Sequence, residues 1–227
     1  MRAINTFWNY FKKNEQEIVY AILLGINTEE VFFQFEKKLT CVSKRISYVI
    51  KCPKNSQDKY TIIFTGAGYS KLFAKIIALE EQAPTLEHFT AQAFIKPYED
   101  VSKYQNGSDA AVICDNYEIK ISEIQIALMD YNIATKQIKI NLYLPHYNEI
   151  KHDDNLKSNI DWIVMLIVGE IAFRKHIKHI KHIQLNQVPQ SAIGLLSLVE
   201  LPEFIDYLYK INSRKKTNLV SSINPNL

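Results

Sequence analysis

Phe7, Phe11, Ile18 and Ile22 recur on one helical face once a drift of a turn is allowed, and Lys12, Lys13, Glu15 and Glu17 fill the rest. The pattern predicts an amphipathic N-terminal helix with one buried side. After Gly25, Asn27 and Glu30 have the spacing of a capping box, and Val31, Phe35, Leu39 and Val42 follow at helical spacing. Two helices are thus expected before the first strand. Ile46, Tyr48 and Ile50 then alternate with Ser47 and Lys51, and beyond the turn PKNSQD, Tyr60, Ile62 and Phe64 alternate with Thr61 and Thr65. This predicts a β-hairpin. A third helix is expected over 70–81, with Leu72, Phe73, Ile76 and Ile77 on one face and Ala83-Pro84 as its stop. Phe89, Ala91, Ala93 and Ile95 give one more alternating strand, closed by Lys96-Pro97.

The second half opens with a polar loop, YEDVSKYQNGSD, followed by a short predicted strand at Tyr117, Ile119 and Ile121. Ile124, Ile126 and Leu128 match Ile138, Ile140 and Leu142 across NIATK, which predicts a second hairpin. A long helix over about 155–175 comes next, with Trp162, Met165, Leu166 and Phe173 as its inward stripe, and since Ile163, Val164, Ile167 and Val168 leave hardly any polar face, it is expected to be buried on nearly every side. The strand-like IKHIQL and a final helix opened by Pro202, with Phe204, Ile205 and Leu208 facing inward, complete the pattern. The fold class expected is α+β, with mostly antiparallel sheets packed against helices, as one body or as two similar-sized α/β halves. Residues 1–212 are expected as a single compact domain, with a subdivision near 98–112 left open, and 213–227 as a flexible basic tail. There is no short-period tandem repeat, which argues against a solenoid.

Composition narrows the class. A chain of 227 residues that is 47% hydrophobic and 22% charged can bury a sizeable core. A net charge of only +3, with acids and bases interleaved, argues against a nucleic-acid partner. Three cysteines, Cys41, Cys52 and Cys114, with no C-x-x-C pair fit a reducing compartment, and the expected location is the cytoplasm. The N-terminus lacks the apolar core of a secretion signal, and the greasiest run, Trp162 to Val168, is far short of the roughly 20 residues that span a bilayer. No membrane association is expected.

Thr65-Gly66-Ala67-Gly68-Tyr69-Ser70 is the first candidate site, because a strand feeding a glycine-rich turn that opens a helix is the local pattern of many phosphate sites. Packing alone also accounts for it: Gly66 or Gly68 supplies a positive φ, and Ser70 caps the helix beside it. The hexapeptide resembles the Gly-Ala-Gly-x-Ser loop of sirtuins, whose amides bind the pyrophosphate of a nicotinamide dinucleotide. Here the continuation is KLFAKIIAL, and the rest of the sirtuin pattern, including its His-Gly and zinc ribbon, is missing. No cofactor is therefore expected. His176, His179 and His182 in HIKHIKH are the metal candidates. A spacing of three misaligns them on a helix and alternates their faces on a strand, so a solvated basic ridge with Arg174, Lys175, Lys178 and Lys181 is the competing reading. Glu170 has Arg174 four residues on as an ion-pair partner. Asp153 or Asp154 is expected to cap the long helix.

Phe7-Trp8-Asn9-Tyr10-Phe11, Thr65-Gly66-Ala67-Gly68, Ala83-Pro84, Ala93-Phe94-Ile95-Lys96-Pro97 and Gly169-Glu170 together resemble an uncharacterised family of bacterial cytoplasmic proteins. Its marks are an aromatic N-terminal helix, a T-x-x-G turn, an AP break, an AF-x-x-P strand and a GE helix. The resemblance implies a fold and no reaction. The function expected is that of a non-catalytic intracellular protein that binds another macromolecule, most simply a protein, as a regulator, adaptor or immunity-type protein. The alternative is an enzyme or small-ligand sensor with a nucleotide or anion site at the 65–70 turn.

Overall fold

The structure, a computed structural model, describes residues 2–53, 55, 57–98, 100–114, 117–187 and 194–210. The chain divides into two compact units, Met1–Ile95 and Lys96–Leu227. In the first, helices α1 (Arg2–Lys13), α2 (Glu15–Leu24) and α3 (Thr28–Thr40) precede strands β1 (Ser47–Lys51) and β2 (Tyr60–Thr65). Helix α4 (Phe73–Glu81) and strand β3 (Phe89–Ala93) follow. Three helices therefore stand where periodicity predicts two. The break falls at Asn14 (φ −109°, ψ 15°), whose N–H is shared between the Tyr10 and Phe11 carbonyls and whose Nδ2 donates to the Tyr10 carbonyl at 2.7 Å. The drift between Phe11 and Ile18 is this break. Each helix buries its own stripe, Ile4, Phe7, Trp8 and Phe11 on α1 and Ile18 and Val19 on α2.

The expected capping box before α3 does not form. Asn27 sits in the left-handed region at φ 52° with no side-chain cap bond, so its side chain is turned away from the first-turn amides, and Glu30 Oε1 accepts from Gln34 Nε2 instead. The hairpin forms as predicted, with Ser47 opposite Thr65 and Lys51 opposite Thr61. Beyond it β3 lies parallel to β2, joined through α4, and the sheet order is β1-β2-β3. On α4, Ile76 and Leu79 are buried and Ile77 is exposed, because Leu72, Ile76 and Leu79 follow the helical repeat while Ile77 lies about 100° round from Ile76. Five phenylalanines, Phe7, Phe11, Phe35, Phe64 and Phe89, are wholly buried at the centre. Their rings meet edge to face, as in Phe7–Phe35 at 5.4 Å and Phe11–Phe89 at 5.1 Å.

The second unit has helix α5 (Ser102–Gln105), the small pair β4 (Val112–Cys114) and β5 (Tyr117–Ile119), then β6 (Gln125–Asn132) and β7 (Gln137–Leu144). Helices α6 (Tyr147–Ile150), α7 (Asp154–Val168) and α8 (Glu170–His176) lead to β8 (Ile177–Gln184), β9 (Leu196–Ser197) and α9 (201–210). Ile126 faces Leu142 and Leu128 faces Ile140 as the alternation predicts, with a register shift after Leu128, while Ile121 belongs to a 3-10 turn and not to β5. Strand β8 runs parallel to β7, giving the order β8-β7-β6-β9. Both units thus carry the same element sequence: an antiparallel hairpin, a helical crossover, and a third strand parallel to the second. The fold is α+β with mostly antiparallel pairing.

The predicted long helix is two, parted at Gly169 (φ 81°, ψ 148°). Ile160, Ile163, Val164 and Ile167 of α7 are buried against Ile126, Ile140 and Leu142 of the sheet, whereas Trp162 and Leu166 are half-buried. Of the predicted stripe Met165 is buried, while Ile163, Val164, Ile167 and Val168 are enclosed as expected; the face turned partly outward is that of Trp162 and Leu166, and Phe173 falls on α8 because the helix stops at Gly169. Asp153 is the cap, accepting the Leu156 N–H at 3.0 Å. The expected tail over 213–227 lies outside the described residues.

Candidate functional site

The Thr65–Ser70 turn stands at the C-terminal end of β2, where parallel βαβ units commonly bind ligands. Its own chain closes it. Thr65 is buried and its Oγ1 accepts the Ala67 N–H at 3.0 Å, the Tyr69 N–H donates to the Gly66 carbonyl at 2.9 Å, and the Leu72 N–H donates to Tyr69. Gly68 takes the positive φ, 76°, together with Ala67 at 48°. Gly66 is small for another reason, since a Cβ there would lie 3.2 Å from both Leu72 Cδ1 and Ile76 Cδ1. Ser70 is not a cap: the extended residue before the 3-10 turn is Tyr69, so Ser70 falls inside that turn, and its carbonyl accepts from Phe73. The Arg45 guanidinium lies over the exposed Tyr69 ring at 5.3 Å. These contacts make the turn a packed junction between β2 and α4.

The three histidines are distributed over separate partners. His176 ends α8, is buried, and donates through Nδ1 to the Lys136 carbonyl at 2.9 Å. His179 is exposed on β8, next to Lys139 in register. His182 pairs with Leu142 in register and its Nε2 bonds Asp161 Oδ1 of α7 at 2.9 Å, with the Tyr147 ring stacked 6.0 Å away. A carboxylate that holds an imidazole in this way can orient a general base. Here the His182 side chain is only 9% exposed, and the pair ties the crossover helix to the strand it feeds. Among the described residues no group of three or more His, Cys, Asp or Glu could hold a metal ion. Glu170 is fully buried at the start of α8 while Arg174 is exposed.

Sequence periodicity overlooks a different surface. At the α2–α3 turn, Leu23 (62%), Leu24 (63%), Ile26 (52%) and Phe33 (60%) are all largely exposed. Tyr20 is exposed one turn earlier on α2, on the face that carries Leu23 and Leu24. The turn is built, not frayed: Gly25 ends α2 at φ 66°, and Thr28 Oγ1 donates to the Ala21 carbonyl at 3.3 Å. Phe33 lines an open concavity of about 800 Å³ with Gly25, Asn27, Thr28, Glu29 and Glu30. The signal lay in Leu23-Leu24-Gly25-Ile26, an apolar run across a helix end, and in Phe32-Phe33, which a single inward stripe cannot both satisfy.

No protein-family model matches the chain, and no match to it was found among curated proteins or solved structures.

Proposed function

We propose that this chain is a non-catalytic protein-binding protein of a reducing cell interior, a regulator, adaptor or immunity-type protein, that engages its partner through the α2–α3 tip. The observation that carries the reading is that Leu23 and Leu24 at the end of α2, Ile26 in the connecting turn and Phe33 early in α3 are each more than half exposed. Single exposed apolar residues are ordinary, but a contiguous group rimmed by polar side chains marks an interaction surface. The free, exposed Cys41 and Cys52 thiols support a reducing location in the cytoplasm. No helix among the described residues is long and apolar enough to cross a membrane.

Binding is favoured over the nucleotide or anion alternative because the Thr65–Ser70 turn spends its geometry on its own packing, and His176 and His182 are engaged by Lys136 and Asp161. Membership of the uncharacterised bacterial family is part of the same proposal. Two of the marks behind it support a structural role, since Pro97 of the AF-x-x-P strand lies directly under Gly169 of the GE helix.

The test is affinity capture from the native cell with the wild-type chain and with a Leu24→Ser/Phe33→Ser variant. Both side chains are exposed, so the variant should keep its stability within about 0.5 kcal/mol. The expected result is one protein retained by the wild type and lost by the variant. Equal retention by both would refute the α2–α3 tip as the docking surface.

A further inference from the structure

Residues 14–36, which span α2, the turn and most of α3, contain Glu15, Glu17, Glu29, Glu30 and Glu36 and not one Lys, Arg or His, although the whole chain carries +3. Glu15 serves the interior, where its carboxylate accepts the N–H groups of Glu87, His88 and Phe89 at 3.2, 2.6 and 3.2 Å. Glu29 and Glu30 are exposed in the first turn of α3 beside the apolar tip, and Glu17 is exposed in the first turn of α2, two turns before Leu24 on the same helical face. Their field reaches a neighbouring group: the Tyr10 hydroxyl is raised above its ordinary value by burial first and then by Glu17 and Glu30. Lys38, in the last turn of α3, lies over the same Tyr10 ring at 5.8 Å, so the acidic stretch has a cation at its edge on the side away from the tip. The two glutamates of the first α3 turn also sit at the favourable end of the helix dipole, so their position costs the fold little.

An apolar tip ringed by carboxylates discriminates between partners. An acidic face is repelled, a neutral one gains only apolar contact, and a basic one gains both contact and faster encounter. We infer that the α2–α3 tip docks a cationic protein face, one that gathers Lys and Arg around an apolar socket, with Glu17, Glu29 and Glu30 meeting the cations and Leu24 and Phe33 entering the socket. This rests on the protein-binding reading above. Lys and Arg assembled to hold phosphate oxygens form such a face, and the three carboxylates can take the phosphates' place on it.

The test uses the full chain and a synthetic amphipathic helical peptide of about 18 residues, Leu along one face and Lys along the other, with a second peptide carrying Glu for every Lys. Binding is read by fluorescence anisotropy at about 50 and about 300 mM salt. The inference expects the Leu/Lys peptide alone to bind, and to weaken about tenfold or more between the two salts. Glu17→Gln/Glu29→Gln/Glu30→Gln should weaken it by a similar factor and flatten the salt dependence. Leu24→Ser/Phe33→Ser should weaken it at both salts. If the triple Gln variant binds as wild type while the Ser variant does not, the apolar docking surface stands and the cationic partner is wrong. If the Ser variant also binds as wild type, the docking surface itself fails. Sedimentation that finds wild-type dimers and monomeric Leu24→Ser/Phe33→Ser would assign the tip to a second copy, and flotation with neutral phosphatidylcholine vesicles would assign it to lipid; either result overturns the inference.

Discussion

At the scale of single residues, the positions that matter most are those where a neighbour leaves no alternative. A Cβ on Gly169 would lie 2.7 Å from Pro97 Cδ and 2.9 Å from its backbone nitrogen, at φ 81° and ψ 148°, a region that side-chain-bearing residues scarcely enter. Gly25 has φ 66° and nothing within 4 Å of its added Cβ. Gly169→Ala should therefore cost about 3 kcal/mol and Gly25→Ala about 1 kcal/mol, measured by urea denaturation; equal losses would contradict the packed junction at Pro97. Asp109 is buried, and burial pushes its carboxyl up. The Ser122 hydroxyl and the N–H groups of Ser122, Asp109 and Ile121 outweigh that, and the net shift is downward from 3.8. A folded pKa below the unfolded one adds stability above the unfolded value and loses it as pH falls through the folded one. Asp109→Asn should thus be less stable than wild type at about pH 6, and the gap should close as the pH drops below 3.8. A gap that widens in acid would reverse the assignment. Gly169 stood out in the sequence only as part of a Gly-Glu pair, and Asp109 did not stand out at all, since the last acid of the polar loop YEDVSKYQNGSD reads as an ordinary loop residue.

At the scale of elements, alternation located both long hairpins because each sheet has one buried face, and a period of two then fixes the register. Helical periodicity did less well where a helix stops and restarts. A phase drift and a broken helix leave the same trace in sequence, so Asn14 and Gly169 each divided one expected helix into two. The parallel placement of β3 and β8 was not readable either, since strand direction is decided by the crossover and not by the strand's own pattern. The consequence for α7 is testable. Ile163 is nearly enclosed, while Leu166, central to the stripe expected from sequence, is half-buried. Ile163→Ala should cost about 2 to 5 kcal/mol and Leu166→Ala about 1 kcal/mol in the same denaturant titration. The reverse order would return the inward face to the one periodicity proposes.

At the scale of the whole molecule, two units of the same strand-helix order each enclose their own core, and among the described residues Leu23, Leu24, Ile26 and Phe33 leave apolar side chains unburied where α2 meets α3 in the first. The glycine turn and the histidine run drew attention in the sequence because their letters resemble cofactor and metal chemistry. Their surroundings use them for packing and tethering. The α2–α3 tip drew none, because exposure is a property of the folded surface and five apolar letters among helical ones look like core. The most direct measurement is site-specific photo-crosslinking in the native cell, with a photoreactive residue at Phe33 and, as a control, at the 70% exposed Ile113 of the second unit. One discrete adduct with a different protein is expected from position 33 and none from position 113. A probe that gives the adduct at 113 and leaves 33 unreacted would contradict docking through the α2–α3 tip.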